Sequence, residues 1–362
     1  MADQNANYLP IFPLNYSVTG IRSENADNTQ VIMTGSCPVD IVNCPSDPPN
    51  TQSVQAMLYR GPMDGSGQCY PMIPDIGGTV CSSIFYGPNT HYFNPNLIEE
   101  EQVRAVGSYN YGTNPLIDNH GMMYEGPLTV NGTGGTWTPI DMPASKAGGG
   151  TVINTVLHST MGDLIVGNYE RVYIEKGIEL HEIGAFIYKI NLDNPGNPDN
   201  YQKLPLGKLV TAYGIWQNGN ATTSYTIAGG LDKAGDGFNV GYLVGYNSGI
   251  LGAPTTYESS PDSNLITHFE GITNLERGMP DSAPNYYSLA AIGDENRENR
   301  GAAFAEVKRL SNNSFGPANW KPVPAPSGAT ANTVLTNNLF GVYTIVKPNG
   351  SKSIQSYWAS NL

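Results

Sequence analysis

The chain has 362 residues, including 42 Gly and 27 Pro, with 39% hydrophobic residues and a formal net charge of −13 from 31 acidic and 18 basic side chains. That balance excludes general nucleic-acid binding, which rests on positive charge, and no apolar run reaches the roughly 18 residues a membrane helix needs. No long stretch carries a period near 3.6, so the composition points to a loop-rich, all-β protein acting on small molecules or glycans.

In chain order, the first candidate strands are residues 10–13 and 16–21, neither with an obvious partner nearby. A four-part unit then begins: an apolar run at 31–35, a second at Ala56-Met57-Leu58-Tyr59-Arg60, a short proline-bounded run at 71–74, and a fourth at 80–86. The second run recurs at 121–125, 185–189, 241–245, 302–306 and 356–359, at spacings of 65, 64, 56, 61 and 54. First strands recur at 103–107, 164–167, 225–229, 287–291 and 340–343, and fourth strands at 152–158, 209–216, 265–270 and 333–337. Prolines in the third runs suit outer strands, because proline cannot donate to a central ladder.

A period near sixty belongs to a repeat architecture, in which stacked units bury faces that one unit cannot bury alone. The C-terminal unit stops two strands short, so the N-terminal pair is expected to complete it and close the ring. The predicted fold is an all-β, six-bladed β-propeller forming one domain. Its blades would span about 339–362 plus 9–23, 29–87, 103–158, 164–216, 224–270 and 286–337. An irregular β-sandwich or β-helix assembly is the competing architecture.

Cys37, Cys44, Cys69 and Cys81 fall within one predicted blade. Local pairs Cys37 with Cys44 and Cys69 with Cys81 would indicate an oxidising compartment, although the spacing permits three pairings or free thiols. Acceptor patterns for N-glycosylation begin at Asn15, Asn131, Asn220, Asn312 and Asn349, and agree with a secreted or otherwise extracytoplasmic protein. No secretory leader pattern opens the chain. The oligomeric state is not readable from these features.

Chemistry is expected where loops after the fourth strands turn towards the ring axis. His158 and His268 are the acid–base candidates, since imidazole exchanges protons near neutral pH. Glu270 would orient His268 if the two side chains converge, and Arg22 would stabilise a developing oxyanion. Trp216, His91, Tyr92, Arg277 and Asn337 are the candidate ligand-binding residues. Ordinary packing and surface ion pairs are the alternative for each. Glu24 and Asp163 add carboxylates, but a glycosidase requires two at a defined separation. No P-loop, dinucleotide motif, HExxH or GxSxG is present. No metal site or cofactor is required, although Asp232 and Asp236 in a glycine-rich stretch could contribute to a structural calcium site.

Val106-Gly107-Ser108-Tyr109, His120-Gly121-Met122-Met123-Tyr124-Glu125-Gly126, Trp137-Thr138-Pro139-Ile140-Asp141-Met142-Pro143 and Val166-Gly167-Asn168-Tyr169 resemble the HAF-like family of β-propeller repeats. This resemblance implies strand phasing rather than an activity. The divergent repeats with local cysteines, glycan acceptors and an aromatic, polar pore are also similar to secreted fungal propeller enzymes of natural-product ring formation, including hetero-Diels–Alder catalysts. That similarity implies a small-molecule cyclase or lyase working on an unsaturated, largely apolar substrate, through shape and hydrogen bonding rather than a covalent nucleophile. A carbohydrate-binding propeller and a protein-interaction scaffold are the competing functions.

Overall fold

Each repeat folds as a sheet whose strands follow one another in the chain. A computed structural model describes residues 8–362 apart from 40, 42–43, 45–52, 113–117, 208, 233–239, 259–264, 278–281, 296–298 and 312–313. The chain enters on β1 (Tyr8–Ile11) and then builds β2 (Ser17–Ser23), β3 (Val31–Pro38), β4 (Val54–Gly61) and β5 (Gln68–Met72) as one antiparallel sheet. The second sheet is β6 (Ser82–Thr90), β7 (Gln102–Asn110), β8 (His120–Pro127) and β9 (Thr136–Pro139). The third is β10 (Thr151–Met161), β11 (Leu164–Glu175), β12 (Ile178–Lys189) and β13 (Tyr201–Lys203). In the fourth, β14 (Val210–Gln217), β15 (Ser224–Leu231) and β16 (Val240–Asn247) are followed by β17 (Ile250–Leu251) and β18 (Thr255–Tyr257), both paired with β16. The fifth is β19 (Leu265–Asn274), β20 (Tyr286–Glu295), β21 (Asn299–Arg309) and β22 (Phe315–Pro322). The last joins β23 (Thr330–Leu335), β24 (Asn338–Val346) and β25 (Lys352–Ala359) to β1, with Leu9 opposite Trp358 and Ile11 opposite Ser356.

The result is an all-β fold of six antiparallel sheets in a propeller-like arrangement. The first strands of the sheets touch in cyclic order: β2 with β6, β6 with β10, β10 with β14, β14 with β19, β19 with β23, and β23 with β2. Glycine permits the closest approaches. A Cβ on Gly20 would stand 2.2 Å from the Tyr86 carbonyl oxygen, and one on Gly87 2.6 Å from that of His158, so any larger residue would force the strands apart. Apolar clusters fill the spaces between sheets, with Ile32, Leu58, Phe85 and Met122 in one and Trp216, Tyr242, Phe269 and Leu289 in another. Trp137 and Trp320 lie on the outer strands and stack on Phe85 and Phe269, at 5.7 and 6.0 Å between ring centroids, as repeated packing elements.

The expected blade boundaries require correction by one strand. The segments read as fourth strands, 80–86, 152–158, 209–216, 265–270 and 333–337, are the innermost strands of the following sheets. Consequently only Tyr8–Ile11 joins the C-terminal strands, whereas Ser17–Ser23 pairs with β3 and starts a sheet of its own. The physical reason is visible in the innermost strands. Each carries a polar or small residue facing inward, which interrupts its apolar run and makes a central strand read like a peripheral one.

The cysteine pairing is also corrected. Cys44 bonds to Cys81, with Cα atoms 5.4 Å apart, while Cys37 and Cys69 are free thiols. Cys37 lies within β3 opposite Gln55 and Cys69 within β5 opposite Tyr59. The bridge instead ties the β3–β4 connection to the chain just before β6, in the next sheet. Burial pushes the Cys37 and Cys69 thiols up to about 12 and about 11, so neither is a ready thiolate. A disulfide closing 37 residues should contribute about 3–4 kcal/mol in the chain-entropy account. Replacing Cys44 and Cys81 by serine should therefore lower the thermal midpoint clearly; an unchanged midpoint in calorimetry would deny the bridge a stabilising role.

The disulfide fits an oxidising compartment, and no described helix is long and apolar enough to cross a membrane. Asn15, Asn131, Asn220 and Asn349 are exposed, as glycan attachment requires, and Asn312 lies outside the described residues.

Candidate functional site

Besides a second register shift early in β10, between Val152 and Asn154, every innermost strand contains one β-bulge in the same place, where pairing skips a residue. The skipped residues are Thr19, Tyr86, His158, Tyr213, Glu270 and Asn332, and these same six residues line a single cavity of about 150 Å³. A bulge leaves its extra residue outside the ladder and re-aims the side chain. Six bulges in a cyclic set of strands thus bring six side chains, of five kinds, to the axis. These residues are all partly accessible, while most of their strand neighbours are fully buried.

Three rings form a continuous arc. Tyr86 and His158 are 4.7 Å apart between centroids, and His158 meets Tyr213 edge-on at 4.5 Å. The Tyr213 ring lies 5.5 Å from that of His268, whose Nε2 is 2.5 Å from Oε1 of Glu270. Residues 268 and 270 are both partly accessible while Phe269 between them is buried, so the two side chains emerge on the same side and this contact forms. Thr19 Oγ1 donates to the Phe85 carbonyl at 2.5 Å, and Asn332 Nδ2 donates to the Val18 carbonyl at 2.7 Å. Those two side chains pin neighbouring strands together as well as bordering the cavity.

The electrostatics favour neutral hydrogen-bonding groups around one carboxylate. Burial, helped by the nearby His268, lowers His158 from 6.5 to about 3, so its imidazole is neutral at physiological pH. Burial also raises the Tyr86 hydroxyl, aided by the charge of Glu270, against a lowering hydrogen bond from Ser108. Glu270 and Tyr86 come from strands on opposite sides of the cyclic order, so they oppose each other across the axis.

The His158 shift has a stability consequence. The unfolded chain binds the imidazole proton more tightly than the folded protein, so this contribution is complete above about pH 6.5 and is lost as pH falls towards 3. Its slope is at most about 1.4 kcal/mol per pH unit. Wild-type protein should lose more stability between pH 7 and 4 than His158→Gln in paired thermal melts. An imidazole resonance of His158 titrating near 6.5 would contradict the assignment.

Three positions beyond the bulges lie Arg22, Asn89, Met161, Trp216, Thr273 and Leu335, each 5% exposed or less. This buried layer closes the axis at the C-terminal ends of the inner strands. Arg22 Nη2 reaches the carbonyl of Ile215 on the opposite strand at 3.3 Å, and its guanidinium lies 5.5 Å from the centre of the Trp216 ring. Trp216 also meets Phe93 at 6.0 Å, edge to face. Trp216 is therefore core rather than an exposed aromatic wall, and Arg22 is outside the cavity lining.

Of the sequence candidates, His158 and Glu270 line the cavity and His268 touches Glu270. The others lie elsewhere. His91 Nδ1 contacts the Ile98 carbonyl at 2.6 Å within its own loop, and Tyr92 packs edge-on against Phe93. Arg277 is exposed, and Asn337 sits in the β23–β24 turn, where its Oδ1 accepts from Asn338 at 3.2 Å. Thr19, Tyr86, Tyr213 and Asn332 escaped the sequence reading. Their signal is an apolar residue, any residue, then a small residue, as in Phe85-Tyr86-Gly87, Ala212-Tyr213-Gly214 and Phe269-Glu270-Gly271.

No group of three or more His, Cys, Asp or Glu suited to a metal occurs among the described residues. The stretch considered for calcium lies outside them apart from Asp232. A second groove, of about 380 Å³, is formed by residues of the fourth and fifth sheets and is lined by Asn218, Tyr225, Tyr246, Asn247 and Arg309 among others. The Tyr225 and Tyr246 hydroxyls are held by Asp163 and Gln202, at 2.8 and 3.0 Å.

No family model and no curated protein sequence matches the chain. Among solved structures, a protein of unknown function from Dyadobacter fermentans is similar over 98% of both chains, with 11% identity and a TM-score of 0.49. A β-1,3-galactosidase of glycoside hydrolase family 43, solved with galactodeoxynojirimycin, is similar over 86% of this chain and 99% of its own, at 9% identity and a TM-score of 0.46. A glucose dehydrogenase is similar over 98% and 99%, at 10% identity and a TM-score of 0.45.

Proposed function

We propose that the six sheets are the blades of a closed β-propeller whose axial cavity is the active site of an extracytoplasmic small-molecule lyase or cyclase. The observation that carries this reading is the convergence of six side chains of five kinds in one cavity. A multivalent lectin calls for comparable pockets, whereas an enzyme concentrates different groups in one place.

Glu270 is the proton acceptor in this mechanism. It takes a proton from carbon next to a substrate carbonyl, and the C–H electron pair moves onto the carbonyl oxygen. The hydroxyls of Tyr86 and Tyr213 and the neutral imidazole of His158 supply hydrogen-bond donors for that oxyanion. His268 holds the carboxylate in position. As the electron pair returns, either a leaving group on the neighbouring carbon departs with its bonding electrons, or the carbanionic carbon adds to a second carbonyl of the substrate and closes a ring; the proton on Glu270 passes to the leaving group or to the alkoxide that the addition creates. No redox cofactor enters this scheme. The polar axis favours proton-assisted ring closure or elimination over a purely apolar pericyclic template, and the small cavity seats only the reacting end of an unsaturated substrate.

Incubating the protein in D2O with a panel of unsaturated and β-substituted carbonyl compounds tests the reading. Deuterium uptake or product formation that depends on Glu270 supports it. Turnover that is indifferent to Glu270 refutes the assigned base.

The groove lined by Tyr225 and Tyr246, whose aromatic rings have their hydroxyls held in place, supports a second reading, a glycan-binding site between two blades. Glycan-array binding that is lost on Tyr246→Ala but retained in Glu270→Gln would favour it.

A further inference from the structure

Beneath the axial cavity, the buried closing layer has donors without acceptors. Arg22 Nε, Asn89 Nδ2 and Trp216 Nε1 each lack a hydrogen-bond partner, although their residues are 5%, 0% and 0% exposed. Among the described residues, Arg22 donates to the carbonyl oxygens of Ile21 and Ile215 at 2.9 and 3.3 Å and faces the Trp216 ring. The other members of its layer are Asn89, Met161, Trp216, Thr273 and Leu335, none of them a carboxylate. Burial lowers Arg22 to about 10, which still leaves it charged at physiological pH.

These observations define what is missing. A buried charge needs a counter-charge or full hydrogen bonding, and the three open groups are all donors. Thr90 Oγ1 donates to the Ser23 carbonyl at 3.0 Å, so the segments after Arg22 and Asn89 are locked side by side. Asn89 Oδ1 is already engaged by the Thr90 amide and Asn94 Nδ2, at 3.0 and 2.9 Å, which fixes its amide with the nitrogen left open. Thr273 Oγ1 accepts from the Thr336 amide at 3.0 Å. A small monovalent anion without protons to donate would complement these donors.

We propose that the closed end of the axis is a halide site, with chloride held by Arg22, Asn89 and Trp216. Chloride neutralises the guanidinium, and its binding to the folded state alone makes stability depend on halide concentration. This site is separate from the chemistry assigned to Glu270 and survives if that assignment fails.

Anomalous diffraction from wild-type crystals soaked in bromide provides the direct test. An anomalous peak within hydrogen-bonding distance of Arg22 Nε and at least one of Asn89 Nδ2 and Trp216 Nε1 is expected. A water-sized peak with no anomalous signal, or a layer with no density between the three donors, would overturn the proposal. In solution, the thermal midpoint should rise by several degrees as chloride replaces gluconate from about 1 mM to about 300 mM at constant ionic strength. The rise should flatten in Asn89→Leu and Arg22→Met. An equal chloride response in wild type and a folded variant would also refute the site; if neither variant folds, the wild-type bromide map decides.

Discussion

Replacing Glu270 by Gln should lower kcat/KM by about 100- to 10,000-fold for any compound the wild-type protein converts, the range for loss of a positioned general base. Gln is nearly isosteric, so the bulge between Phe269 and Gly271 and the neighbouring core should persist. It removes the charge opposite Tyr86 and replaces one of the two carboxylate oxygens beside His268 Nε2 by an amide nitrogen. Most of the loss should therefore fall on kcat, because the missing interaction belongs to the proton-transfer step. Tyr246→Phe in the outer groove should leave turnover unchanged. The reverse pattern, normal turnover in Glu270→Gln and loss in Tyr246→Phe, would move function from the axis to the groove.

Deleting residues 1–23 should yield an aggregating or poorly folded chain, whereas deleting residues 1–15 should leave a compact protein with a lower thermal midpoint. The shorter deletion removes β1, with buried Ile11, and the carbonyls of Ile11 and Phe12 that accept from Gln355 at 2.9 and 3.0 Å. The longer one also removes β2, whose Val18 and Ile21 are fully buried and which joins β23 to β6 in the cyclic order. Burying each large aliphatic side chain is worth about 1.5–3 kcal/mol. Loss of three therefore approaches the entire net stability of a typical domain, about 5–15 kcal/mol. Thermal unfolding and size-exclusion chromatography distinguish the outcomes. A compact 1–23 deletion with an unchanged midpoint would contradict the structural role of β2.

The sixty-residue period, the all-β class and the outer position of the proline-bearing strands follow from apolar runs and proline chemistry. Sheet phase does not, because β6 and β10 place Tyr86 and His158 amid buried apolar residues, and the break looks like an edge. His158 and Glu270 were recognisable by residue type, and their convergence depends on bulges whose register is set by pairing between distant residues. Tyr213 and Asn332 carry no chemical motif; only their placement before Gly214 and Thr333 marks them. Trp216 misled because aromatic character near the end of an inner strand serves equally well for stacking a ligand and closing the axis.

The most direct test of the axial site is a wild-type crystal structure with a bound product or unreactive analogue of a compound that the protein converts. The account predicts ligand density on the axis, with an oxygen within hydrogen-bonding distance of Tyr86, His158 or Tyr213 and the reacting carbon or its proton facing Glu270. Ligand density confined to the groove beside Asn218 and Tyr246, with the axial cavity unoccupied by ligand, would contradict it.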